Sequence, residues 1–184
     1  MMQKRKRGKK IVIQFDQERK HSIEGFFIEG QITSDGSLAI LETNAKELDF
    51  FERPVIKRDW KLRVMRADRD VMSVELKNLP LIPSHIDLFF DGTILIVQGR
   101  CVKDGANIEK NARHYCVDGT LLNEFTFGDG IADVQIDETD TIWVSYFDEG
   151  VFGNFGWDEA PLGIDGLIAF NRLGKSFGVQ VGTR

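Results

Sequence analysis

Four carboxylates bracket two apolar runs, VQI and TIWVSYF: Asp129 and Asp133 come before them, Asp148 and Glu149 after. Hard oxygen donors of this kind suit Ca2+, and Asp133, Asp148 and Glu149 are the candidate ligands. A metal-bound water would then open an ester, with His85 or Asp133 as acid or base. A plainer use of the same acids is local. Asp129 lies between Gly128 and Gly130, and Asp148-Glu149 precedes Gly150. Asp side chains in such turns bond nearby backbone N–H groups.

Other chemistry is thin. Cys101 and Cys116 form no CxxC and have no His at ligand spacing, which argues against structural zinc. No GxSxG, HExxH or phosphate-loop pattern occurs. Ser84 precedes His85 directly, and strand alternation would send the two to opposite faces. A Ser/His pair is therefore not expected. His114 falls between apolar strand neighbours and reads as a strand-face residue.

The elements that must position these residues repeat. VQIDETDTIWV (134–144) matches IDLFFDGTILI (86–96), and GQITSDGSLAI (30–40) matches the same frame. Each copy alternates, turns and alternates again. Asp35-Gly36 and Asp91-Gly92 mark two turns, and primed hairpin turns are the expectation. The third copy has Thr139-Asp140 instead. A second hairpin follows each first one, at 62–76, 112–125 and 167–181.

Two hairpins repeating every ~50 residues form the pattern of a propeller blade. The predicted strands are 27–34, 37–42, 60–67 and 71–76; then 84–90, 93–98, 111–117 and 120–126; then 131–137, 141–147, 166–172 and 175–181. The fold class expected is all-β, a β-propeller of about three four-stranded antiparallel blades spanning 27–76, 84–126 and 131–181. Lys10–Phe15 is a candidate ring-closing strand after a basic tail, 1–8. Three blades do not close a ring, since typical propellers have at least four. A truncated product, or two three-blade halves paired into one ring, are the two expectations.

GDGIADVQIDETDTIWVSYFDEGVFGNFGW resembles a segment of a bacterial family of β-propeller proteins with no established activity. LPLIPSHIDLFFDGTILIVQGRC and NARHYCVDGTLLNEFTFGDG resemble the blade before it. The likeness covers most of residues 9–175 and is sharpest at 125–157. Members of that family look roughly twice as long, so this chain resembles an N-terminal half. The resemblance implies a propeller and a bacterial origin, and brings no reaction and no catalytic residues.

Blade geometry then gathers the candidates. The loop entering strand one and the loop joining strands two and three open on one face. That mouth takes His85, Gln98 and Arg100 from the second blade and Asp129, Asp133, Asp148, Glu149 and Trp157 from the third. Glu24, Glu42 and Asn44 are the matching positions of the first.

Phe152, Phe155 and Trp157 stand among glycines in the loop 148–166, suited to a ligand or peptide contact or to covering the mouth. A net charge of −5 argues against a nucleic-acid partner. No segment is apolar enough to span a membrane, and a cytoplasmic location is expected. The expected function is a non-enzymatic scaffold that binds a protein or small molecule at the mouth, without a resident cofactor. The alternatives are a Ca2+-dependent hydrolase or lyase of gluconolactonase-like layout, and an inactive fragment.

Overall fold

A computed structural model describes residues 26–66 and 69–177. Within them the chain forms fourteen strands and one short helix. The first sheet holds β1 (Phe26–Ile32), β2 (Leu38–Thr43), β3 (Arg58–Arg66) and β4 (Arg69–Leu79). The second holds β5 (His85–Leu88) and β6 (Ile94–Val97). A two-stranded ribbon follows, β7 (Lys103–Asp104) with β8 (Asn107–Ile108). The second sheet then finishes with β9 (Ala112–Tyr115) and β10 (Leu121–Phe125). The third contains β11 (Ile131–Ile136) and β12 (Ile142–Tyr146), then α1 (Asp148–Phe152), then β13 (Leu167–Phe170) and β14 (Ser176–Phe177).

Each four-stranded sheet is an antiparallel meander in chain order. The expected strand Lys10–Phe15, the basic tail 1–8, Glu24 and positions 178–181 lie outside the described residues.

One turn geometry recurs. The amides of Thr33, Phe89, Cys116, Asp137 and Asn171 each donate to the carbonyl four residues on. The carbonyls of the same five residues accept the amide three residues on. The third loop residue is left-handed each time: Gly36 at φ 78°, Gly92 at 83°, Gly119 at 85° and Gly174 at 71°. Asp140 takes the same position at φ 61° without glycine's freedom. These are three-residue loops with a left-handed closing residue, in place of the two-residue primed turns that Asp-Gly predicts.

The sheets stack face to face over two apolar cores. Leu41, Trp60, Leu62 and Leu76 of the first sheet meet Ile86, Ile94 and Ile96 of the second. Leu95, Val97 and Phe125 of the second meet Val134, Ile142, Val144 and Phe170 of the third. Every residue of β6, ILIV, is therefore buried, because its sheet is covered on both faces.

The first strands of the three sheets adjoin, with β1 and β11 both beside β5. Gln31 on β1 joins all three: its Oε1 accepts the Ile86 amide at 3.1 Å, and its Nε2 donates to the Val134 carbonyl at 3.0 Å. Buried Asp87 does the same from β5, accepting the amides of Leu88, Ser34 and Ile136. Side chains of these first strands thus pair across sheets, while the main-chain ladders stay within each sheet.

Candidate functional site

The end where β5 and β11 begin is bordered by the loops joining β2 to β3, β6 to β9 and β12 to β13. Arg100, two residues beyond buried Gln98, is its centre. The Arg100 guanidinium forms a two-pronged pair with Asp129, Nε to Oδ1 and Nη2 to Oδ2, each 3.0 Å. Its Nη1 donates to Glu149 Oε2. Its Cζ lies 4.5 Å from the Phe155 ring centre and 5.7 Å from that of Phe147. Arginine favours such paired and stacked settings because its fork matches a carboxylate and its face is weakly hydrated.

Asp129 is buried and also accepts the Cys101 amide at 2.8 Å. Burial pushes its carboxyl above the usual range, against that amide and Arg100, which pull it down. Glu149 Oε1 accepts Asn154 Nδ2 at 2.9 Å. Asp129 and Glu149 therefore serve one cation that the chain itself supplies.

The glycines beside them permit close approach. A Cβ on Gly130, at φ 68°, would fall 2.2 Å from the Gly150 amide nitrogen. The 128–130 turn and the start of α1 are thus packed backbone to backbone.

The other carboxylates stand apart. Asp133 is exposed and bonds the Val134 amide and Gln135 Nε2. Asp148 is exposed and accepts the Glu149 amide. The expected grouping of Asp133, Asp148 and Glu149 does not form: among the described residues no three His, Cys, Asp or Glu side chains gather where a metal could sit. A β-bulge explains Asp133. The register shifts between Ile131 and Asp133, so Ile131, Val134 and Ile136 share the core face.

Gln98 is buried, accepting the Ile82 amide and donating to the Arg100 carbonyl, each at 2.8 Å. Trp157 is buried, its Nε1 donating to the Cys101 carbonyl at 2.9 Å. Both hold the loops in place. Burial pushes the Cys101 thiol up to about 12, which keeps it protonated and unreactive. His114 bonds Thr93 Oγ1 at 2.7 Å and packs on Phe89 inside the sheet.

A cavity of about 360 Å³ opens beside Arg100. Its wall includes Phe50, Ser84, His85, Gly99, Ile131 and Phe147. Phe50 and Phe51, from the loop after β2, are exposed, and Phe51 reaches Phe155 with ring centres 6.3 Å apart. Ser84 Oγ and His85 Nδ1 lie 2.9 Å apart, a pairing that simple alternation excludes. Ser84 precedes β5, so the strand rule does not reach it.

Of the residues expected at the mouth, His85, Gln98 and Arg100 line this cavity; Phe50 and Phe147, which the sequence does not mark, and Ser84, which strand alternation sets aside, line it with them. Glu42 and Asn44 line a separate cavity of about 260 Å³ beside Trp60 and Lys61. No helix among the described residues is long and apolar enough to cross a membrane. Comparison with protein-family models, with curated proteins and with solved structures finds no match for this chain.

Proposed function

We propose that the chain is a β-propeller module whose three sheets act as blades, and that it is a non-enzymatic scaffold binding a small molecule or a protein side chain at its mouth. The observation that carries this reading is the cavity walled by Phe50, Ile131 and Phe147 beside Arg100. Aromatic and aliphatic walls with few polar groups suit an apolar or planar ring. The Arg100 charge is taken by Asp129 and Glu149, which disfavours an anion. The side-chain bonds of Gln31 and Asp87 across the first strands of the sheets support the blade reading.

The same ion pairs weigh against a calcium-dependent hydrolase, because Glu149 is already held by Arg100 and Asn154. A second copy is a further expected partner. Leu167 and Phe177 are exposed on the third sheet, where another sheet would extend the series.

Nile red, a neutral planar dye, tests the mouth. It is expected to bind one site per chain and to lose that site in Gly99→Leu. A Cβ at Gly99 would already lie 3.1 Å from Ser84 Oγ and 3.4 Å from the Ile131 carbonyl, so a leucine crowds the cavity. Dye binding unchanged in that variant removes the mouth from the proposal.

A further inference from the structure

The mouth cavity holds one pair that ligand binding alone does not use. His85 Nε2 lies 3.2 Å from the Ala132 carbonyl. A carbonyl only accepts, so this bond puts the imidazole proton on Nε2. In the neutral ring Nδ1 then carries the lone pair, and the Ser84 hydroxyl, its Oγ 2.9 Å away, is placed to donate to it. The Val97 carbonyl, 3.4 Å from the same hydroxyl, is the longer alternative acceptor. A serine hydroxyl donating to a neutral imidazole, itself oriented by a third group, is the arrangement that activates a nucleophile. Glycine at position 99 keeps the space above Oγ open, and the phenyl rings of Phe50 and Phe147 border the same space.

We propose that Ser84 is an acyl-accepting nucleophile, taking the acyl group of a small carboxylic ester in the mouth cavity with His85 as its general base. In the step, a bond forms between Ser84 Oγ and the ester carbonyl carbon, and the bond from that carbon to the alkoxy oxygen breaks. The proton passes from Oγ to His85 Nδ1 and then to the departing alkoxide, which leaves as the alcohol. The product is an O-acyl serine. This inference rests on the cavity admitting a ligand and goes beyond that reading in making the contact covalent.

The test incubates the full chain with p-nitrophenyl acetate. One nitrophenolate is expected per chain, with one acetyl on the Ser84 peptide by mass spectrometry. Ser84→Ala abolishes the label, and His85→Gln slows it about 100-fold, the scale of general-base assistance. If either variant melts without cooperativity, Gly99→Val replaces it, crowding Oγ while keeping both residues, and is expected to slow labelling. An unlabelled Ser84 in the wild type, or equal rates in His85→Gln, overturns the inference. A parallel indole titration separates the two readings: indole binding without acetylation overturns the nucleophile alone, and absence of both overturns the cavity reading too.

Discussion

The Asp87 carboxylate accepts the Ile136 amide at 2.6 Å, a bond from the first strand of the second sheet to that of the third. Its other oxygen accepts the Ser34 amide beyond β1 at 3.1 Å, so one buried side chain ties three sheets. Asp87→Ala strands these buried donors, and each unmet buried group costs ~1–3 kcal/mol. A loss of roughly 3 kcal/mol is expected in urea unfolding, with Asp87→Asn in between because it keeps one acceptor oxygen. An alanine variant within ~0.5 kcal/mol of wild type would show that this link between the sheets is dispensable.

Arg100 makes a second such link. Arg100→Ala leaves Asp129 charged and buried without its partner, a change that costs ~3–5 kcal/mol. In that variant the Asp129 pKa rises further above its unfolded value, so folding takes up a proton. Stability lost at pH 7 is then partly regained as the pH falls toward 5, read as a rise in melting temperature. A deficit that does not change between pH 7 and 5 would mean Asp129 is not the group left exposed to the loss.

The hairpin tips predict the acid limb. Burial works to raise the Asp137 carboxyl, but Thr139, Trp143 and nearby amides hold it at about 2. Its folded value is below the unfolded one. The stability it contributes is therefore fully present above the ordinary carboxylate range and is lost as the pH falls through about 4 to 2. Asp137→Asn should flatten that part of the melting-temperature profile, and an unaltered slope would contradict the assignment.

Two glycines separate conformation from contact. Gly36 is left-handed with nothing within 4 Å of an added Cβ, so Gly36→Ala costs only the left-handed backbone, ~1–2 kcal/mol. Gly156 is also left-handed, and its Cβ would lie 1.8 Å from the Lys103 carbonyl oxygen. Gly156→Ala should therefore be far more damaging and should loosen the loop carrying Phe155, which holds the Lys103 amide at 2.9 Å. Equal losses in the two variants would overturn the distinction.

Much of the architecture was legible because each sheet repeats the same signals: alternation, a polar turn, alternation. Asp140 shows the limit at the turns, since no residue type announces a left-handed aspartate. The site was legible where strand ends fixed it, as with His85 and Arg100. It was misread where regularity breaks. The bulge at Ala132 moves Asp133 off the core-face register it would share with Ile131. The missing strand at Ser84 frees that hydroxyl to meet His85. Phe50 lies in the loop between β2 and β3, where no periodicity operates and only tertiary packing brings it to the cavity.

The central claim, that the mouth cavity is the binding site, is tested most directly by an amide NMR titration with indole. The account predicts saturable shifts confined to Ser84, Gly99, Arg100, Ala132, Phe147 and their neighbours. Shifts confined to the open groove lined by Arg53 and Ile108, or no saturable shifts at all, would contradict it.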